Sequence, residues 1–263
     1  MTALGIDVGG SGIKAALVDT DRGALFTERI RVDTPQPATP DAVAAATSAL
    51  VSELVVDVPV GVGLPSVVLG GHTMTAANIH ESWIGQDAES LFRDAVGRMA
   101  VVVNDADAAG IAEMRFGAGR GERGVVIVLT LGTGIGSAVF IDGVLVPNTE
   151  LGHLEIGGRV GEAWAASSAK EREQLSWTKW AARVSTYLDR IDRLFWPDLI
   201  VLGGGVSRKA DRWMTKLTCR PRIVAAEFGN AAGIVGAALA AASVSPPGQT
   251  DAVPVADVVT SAP

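Results

Sequence analysis

The sequence predicts an α/β protein built as two similar halves facing each other across a cleft, and three observations carry that prediction. Short apolar runs that read as buried strands end in glycine-rich stretches at three places. These are Gly5-Ile6-Asp7-Val8-Gly9-Gly10-Ser11-Gly12-Ile13-Lys14, Leu129-Thr130-Leu131-Gly132-Thr133-Gly134-Ile135-Gly136 and Val201-Leu202-Gly203-Gly204-Gly205. The first two are followed at once by another strand-like run, residues 15–18 and 137–141. Each therefore reads as a hairpin whose glycines take positive φ and bring bare N–H groups up to a bulky anion. Strands then alternate with helix-length patterns, so each half opens on a hairpin and continues in mixed α/β fashion. One glycine turn alone is more often a turn without a ligand; three in this order point to a phosphotransferase cleft.

In chain order, strand-like runs at 3–8, 13–18 and 24–32 form an opening meander, and Pro35, Pro37 and Pro40 end it. Thr39 or Asp41 is placed to cap an alanine-rich helix reaching residue 55. Residues 58–64 read as a buried strand, 87–99 as an amphipathic helix, and 101–103 as a short strand leading into Asn104-Asp105. A helix over 107–116 and an arginine-dotted loop over 117–124 precede the second half: strand 125–131, glycine turn, strand 137–141 and a turn at Asp142-Gly143. Residues 169–195 carry the longest helical pattern, broken at Ser176-Trp177 and ended by Pro197. Strand 199–202 and helix 231–242 close the chain. The expected division is a first lobe over 1–104, a second over 105–242, and a disordered tail over 243–263 with four prolines and nothing aromatic or basic to bury.

Composition narrows the function classes. A net charge of −7 argues against non-specific nucleic-acid binding and against a cationic membrane-surface role. Cys219 is the single cysteine, which excludes a disulfide framework and a thiolate zinc cluster and reads as a structural thiol. No charge-free apolar stretch has the length of a membrane span, and Met1 runs directly into the first strand without a leader pattern. The expectation is a cytoplasmic protein. Walker A is absent, since no glycine run is followed by Lys and then Ser or Thr, and the run after Gly12 is strand-like where a Rossmann turn would open a helix.

The motifs Asp7-Val8-Gly9-Gly10-Ser11-Gly12-Ile13-Lys14, Asn104-Asp105, Leu131-Gly132-Thr133-Gly134-Ile135-Gly136 and Glu150-Leu151-Gly152-His153 resemble, in order, those of the ROK sugar kinases. Further matches are similar to the polyphosphate-using glucokinase branch of actinobacteria. These are Thr75-Ala76-Ala77-Asn78-Ile79 with Ser82-Trp83-Ile84-Gly85, then Leu175-Ser176-Trp177, then Asn230-Ala231-Ala232-Gly233-Ile234-Val235-Gly236. The resemblance spans about residues 4–241. It implies a duplicated ribonuclease H-like fold of the actin, hexokinase and Hsp70 ATPase type. It also implies transfer of a phosphoryl group from polyphosphate, with ATP as a second donor, to the 6-hydroxyl of glucose, some members accepting mannose, and a homodimer. Many members carry a cysteine-rich zinc motif after the sugar-binding histidine; residues 154–170 contain no cysteine, so zinc is not expected and Mg²⁺ is.

Phosphoryl transfer needs a base, a cation and dense hydrogen-bond donors around the moving group. The resemblance makes Asp105 the base that takes the proton from the sugar C6 hydroxyl. From the residues alone, Asp105 reads equally well as the N-cap of the following helix, with Asp107 as a competing base and the more natural cap. By the same resemblance Asn104, Glu150, His153 and Glu162 bind sugar hydroxyls, while Ser66 and Asn78 line their pocket; Ser66 stands where the family usually has glycine after Pro65. Gly9, Gly10, Ser11 and Gly12 from one half and Gly132, Thr133 and Gly134 from the other would hold phosphate. Gly203, Gly204, Gly205 and Gly233 match the adenosine wall. Asp7 would hold Mg²⁺ through water. Lys14 either reaches a phosphate or is a solvated strand lysine.

A polyphosphate user needs a cationic track. Arg115, Arg120 and Arg123 form one candidate stretch, and Arg208, Lys209, Arg212, Lys216, Arg220 and Arg222 another; either also fits an ordinary solvated face. Trp177 and Trp213 read as core or interface. The alternatives are an ATP-only, zinc-free glucokinase or mannokinase, and, in a different class, a nucleotide-dependent switch or sugar-sensing regulator. The switch lacks the sugar-clamp residues, and the regulator needs a DNA-binding extension for which residues 1–263 have no room.

Overall fold

The opening apolar run, β1 (Thr2–Val8), turns back at the first glycine stretch into β2 (Ile13–Asp19), in register from Thr2 opposite Asp19 to Val8 opposite Ile13. The computed structural model describes residues 1–244 except Glu53, Val55 and Val56. The expected tail therefore lies, from residue 245, outside the described residues, as does the expected end of the first helix. The run at 24–32 is not one strand but two, β3 (Ala24–Leu25) and β4 (Ile30–Val32). The break has a local cause: the Leu17 N–H donates to the Thr27 hydroxyl, so a side chain replaces the ladder there. Helix α1 (Pro40–Ser52) is capped by Thr39, whose hydroxyl accepts from the Ala42 N–H.

Parallel strand β5 (Val60–Leu64), the small hairpin β6 (Val68–Leu69) and β7 (His72–Thr73), and helix α2 (Ala88–Val96) follow. Gly97, left-handed at φ 70°, stops α2 three residues before the expected end. Strand β8 (Ala100–Asn104) leads into α3 (Asp105–Phe116). The second half repeats the scheme. Strands β9 (Val125–Leu131) and β10 (Ile135–Ile141) make its hairpin, extended by β11 (Val144–Val146). A two-stranded ribbon, β12 (Glu155–Ile156) and β13 (Arg159–Val160), precedes α4 (Gly161–Ala165), α5 (Ser167–Arg172) and α6 (Trp177–Phe195), the last capped by Ser176. Strands β14 (Leu199–Gly203) and β15 (Arg222–Ala225) and helix α7 (Ala232–Ser243) end the described chain.

The duplication is visible in the strand order. The first sheet runs β3-β2-β1-β5-β8 and the second β11-β10-β9-β14-β15, an antiparallel hairpin continued by two parallel strands in both. One face of the first sheet is filled by Leu4, Ile6, Val8, Val62, Trp83 and Phe92, and one face of the second by Ile127, Leu129, Trp180, Val184, Tyr187 and Trp213. The other faces are joined by two helices packed on each other. Helix α7 lies on β1 and β5, α3 lies on β9 and β10, and α3 and α7 are in contact along their lengths. The last helix, expected with the second lobe, thus packs on the first sheet. Its approach is close enough that a Cβ on Gly5, Gly61 or Gly236 would overlap the carbonyls of Ile234, Ala237 and Ala108 respectively. Alanines fill the rest of that layer, among them Ala3, Ala16, Ala109 and Ala112.

Candidate active site

The two glycine hairpins end at the same cleft, and both are amide nests. In the first, the carbonyls of Gly9, Gly10 and Ser11 are taken by the Thr34 hydroxyl, the Gln36 amide and the Arg31 guanidinium. Among the described residues the N–H groups of Gly10, Ser11 and Gly12 have no protein partner. In the second, the Gly132 carbonyl accepts from the Ser167 hydroxyl (2.9 Å) and the Ser168 N–H (3.1 Å), and the Thr133 carbonyl from the Ser168 hydroxyl (2.6 Å). Tying the carbonyls back leaves positive N–H ends for an anion. The expected positive φ is not the reason for these glycines: of the residues at issue only Gly204 has it, at 85°. Crowding accounts for some of them: a Cβ on Gly10 would come 2.9 Å from the Asn78 carbonyl, one on Gly12 would press on the Arg31 guanidinium and one on Gly134 on the Glu162 carboxylate, whereas Gly132 and Gly205 have open space around that position.

Helix α3 begins two residues earlier than its pattern suggests, and its cap is neither aspartate. Asn104 caps it: Oδ1 accepts from the N–H of Ala106 (2.9 Å) and Asp107 (3.0 Å), and Nδ2 donates to the Ser66 carbonyl (3.0 Å). Asn104 is buried with its acceptor spent, so only its second amide hydrogen remains for a ligand. Asp107 is buried as well, its Oδ2 accepting from the Asn148 N–H (2.7 Å) and its Oδ1 without a partner among the described residues. That leaves Asp105 free of capping duty at the first helical position.

Asp105 lies where two chambers meet. The larger, about 560 Å³, is lined by Gly9, Gly10, Ser66, Asn78, Asn104, Gly132, Thr133, Gly134, Glu150, His153 and Glu162. The smaller, about 180 Å³, is lined by Asp7, Lys14, Gly203 and Gly233, with Glu113 and Asn230. Asp105, Ala106, Thr130 and Gly204 border both. Ser11, Gly12 and Gly205 border neither. Ser66 contributes shape more than a free hydroxyl, which sits 2.7 Å from the Thr75 carbonyl. Glu162 is held by the Ile135 N–H at 3.2 Å, with its other oxygen 3.8 Å from His153 Nε2. Lys14 is half-buried and paired: its Nζ bonds Asp7 Oδ2 at 2.9 Å.

Carboxylates crowd this junction. Burial, then the charge of Asp7 and the charges of Glu150 and Asp107, push the Asp105 carboxyl up to about 7 against the pull of the Ala106 N–H. Burial and Glu150 push Asp107 up to about 6. Glu150 is raised too, chiefly by burial, with His153 opposing. The Cys219 thiol is pushed up to about 11 by burial and by Asp189 and Asp192, consistent with a structural role. Among the described residues no three His, Cys, Asp or Glu side chains converge as a metal site.

The basic stretches divide. Arg220 grips the Asp192 carboxylate and stacks over Trp196, Arg222 pairs with Glu122, and Arg115 lies over the Phe116 ring, so these serve the fold. Arg208, Lys209, Arg212 and Lys216 are exposed on the 3-10 turns that begin beside Gly204, and no carboxylate pairs with them among the described residues. Trp213 is core, edge-on to Trp180 at 4.7 Å. Sequence reasoning missed the braces: Ser167 and Ser168 behind the second turn, and Ser137, whose hydroxyl bonds the Thr149 carbonyl (2.6 Å) and the Leu151 N–H (3.0 Å) to hold the Glu150 loop. Their only signal is small polar residues beside the glycine motif.

Comparison with known proteins agrees with this geometry. The ROK family model matches residues 3–163. The polyphosphate glucokinase of Mycobacterium tuberculosis (strain CDC 1551 / Oshkosh) is 51% identical over 237 residues, 90% of this chain and 89% of that protein. The inorganic polyphosphate/ATP-glucomannokinase from Arthrobacter sp. strain KM superposes with a TM-score of 0.88 at 48% identity, covering 92% of this chain and 98% of that one. A ROK family glucokinase from Streptomyces griseus, in complex with glucose and AMPPNP, gives 0.80 at 26% identity over 92% and 99%.

The raised carboxyl of Asp105 has a consequence for stability. Its folded value lies above the unfolded one near 4, so the folded state holds the proton more tightly and stability falls as pH rises from about 4 through about 7. Asp105→Asn removes that cost. In chelator, without sugar or donor, the variant should exceed the parent by about 1–3 kcal/mol at pH 8, and the gain should vanish near pH 4. Urea denaturation at both pH values measures this; an equal gain at both contradicts the electrostatic origin.

Proposed function

This chain belongs to the ROK family, and on that premise we propose that it is a glucokinase transferring a phosphoryl group from inorganic polyphosphate, with ATP as a second donor, to the 6-hydroxyl of glucose. The observation that carries the reading is Asp105 at the junction of two chambers, one rich in groups that bind hydroxyls, the other edged by glycines and Lys14. Mannose as a further acceptor rests on the likeness to a glucomannokinase.

The geometry supports the following roles. Glu150, His153 and Glu162, with the free amide hydrogen of Asn104, fix the hexose in the larger chamber beside Asn78 and Ser66. Asp105 accepts the proton of the C6 hydroxyl as that oxygen attacks, a task suited to a carboxyl poised near neutrality. The two amide nests, which edge the larger chamber, receive the donor's transferring phosphate, and Lys14 lines the smaller chamber on the other side of Asp105. Asp7 and Asp105 bring two carboxylates to one small chamber, a donor set that suits Mg²⁺, which takes one or two carboxylates and completes its shell with water and phosphate. Asp7 would hold it, and the bound ion would neutralise the donor's phosphates. Arg208, Lys209, Arg212 and Lys216 form the path along which a long polyphosphate leaves the site. The exposed Val144 and Val146 on edge strand β11, with Ile141 beside them, offer an apolar face for a homodimer. No helix among the described residues is long and apolar enough to cross a membrane, in keeping with a cytoplasmic enzyme.

Two measurements test this. In an assay of glucose and mannose against polyphosphate and ATP with Mg²⁺, glucose with polyphosphate should turn over. Asp105→Asn should lower that turnover by on the order of 10² or more while leaving glucose affinity nearly intact. Near-normal turnover of the variant refutes Asp105 as the base. Reversing the charges of Arg208, Lys209 and Arg212 should impair polyphosphate use more than ATP use; equal impairment removes the track.

A further inference from the structure

Helix α3 carries three carboxylates besides its role as a strut: Asp105 at its start, Asp107 two residues further along the same turn, and Glu113 near its end. Only the first faces both chambers. The other two are buried, and neither forms an ion pair among the described residues. A buried carboxylate without a countercharge is costly unless it is hydrogen-bonded, so what these two hold is informative.

Asp107 holds the sugar side. Its Oδ2 accepts from the Asn148 N–H at 2.7 Å. Asn148, left-handed at φ 59°, then spends its side chain on one residue of the first lobe: Oδ1 accepts from the Val68 N–H (2.8 Å) and Nδ2 donates to the Val68 carbonyl (2.9 Å). The chain from Asp107 through Asn148 to Val68 therefore fixes the loop carrying Glu150, two residues on, to the first-lobe hairpin that follows Ser66.

Glu113 holds the donor side. Its Oε1 accepts from the Phe228 N–H (2.8 Å), and its Oε2 accepts from the Glu227 N–H (3.1 Å) and the Ala118 N–H (3.0 Å). The segment it grips continues into Gly229, Asn230, Ala232 and Gly233, which line the smaller chamber. Both oxygens are needed, because three N–H groups converge on them.

We propose that Asp107, through Asn148, and Glu113 are positioning residues that register the sugar loop and the donor loop separately against the helix bearing Asp105. This rests on the proposed roles of the two chambers. It makes α3 a gauge: the hexose and the phosphoryl donor are each set at a fixed distance from one carboxylate by bonds to the chain's own backbone.

The test is a split between two Michaelis constants, which a purely structural role would not produce. Asn148→Ala should raise the glucose KM about tenfold or more and leave the donor KM within about twofold; Glu113→Gln, whose amide puts a donor where an acceptor is needed, should do the reverse. Asp107→Asn keeps an acceptor for the Asn148 N–H and should behave like the parent in glucose KM, whereas Asp107→Ala should follow Asn148→Ala. Polyphosphate and ATP are each used as donor. Similar changes in both constants for both variants, or no change in either, overturn the proposal. If Glu113→Gln does not fold, Asn148→Ala, on a partly exposed loop, decides alone. Asp105→Asn run in parallel separates the cases, since its near-normal turnover would refute the chamber assignment instead.

Discussion

The contact on which the rest depends is the close packing of α3 against α7 between two sheets. Glycines at 5, 61 and 236 and a layer of alanines let backbone meet backbone there, where any side chain would force the layers apart. Because α7 is bound to the first sheet and α3 to the second, this helix pair joins the halves, with the Asn148–Val68 bonds as a smaller tie. The start of α3 then falls between the two glycine hairpins, and Asp105 with it. Dispersion and burial do the joining, since α7 carries no charged side chain to pair with α3. Dense packing of small residues tolerates little change in volume, so the placement of the Asp105 carboxylate is set by steric limits more than by polar bonds.

Electrostatics then shapes what that placement can do. Asp7, Asp105, Asp107 and Glu150 influence one another across a confined space, and their repulsion is offset only in part by Lys14 and His153. The unliganded site is thus destabilised by its own charge. On the proposed reading, a cation and the amide nests would restore balance when a phosphate chain arrives, and the crowding that raises the Asp105 carboxyl suits it to the role of base. Stability is given up where chemistry is done.

Much of this was legible in the residues. The glycine hairpins, the alternation of strands and helices, and the Asn104-Asp105 and Glu150–His153 pairs located the cleft before any coordinates, and the duplicated strand order is what those repeats implied. What escaped was set by tertiary contact. Gly10, Gly12 and Gly134 serve close approach instead of positive φ, because Asn78, Arg31 and Glu162 crowd them from distant parts of the chain. The cap of α3 is Asn104, since the Ser66 carbonyl orients its amide from the turn after β5. Arg220 and Arg222 left the cationic track because Asp192 and Glu122, remote in sequence, lie beside them. Local pattern names the turns and helices; which polar groups remain free is decided by what folds back upon them.

The most direct measurement is a crystal structure of the enzyme with glucose bound. The sugar should occupy the larger chamber with its O6 about 2.6–3.2 Å from an Asp105 carboxylate oxygen, turned toward the amide nests. Glucose seated with O6 away from Asp105, or bound in the smaller chamber, would contradict the assignment of that junction as the place where the phosphoryl group is transferred.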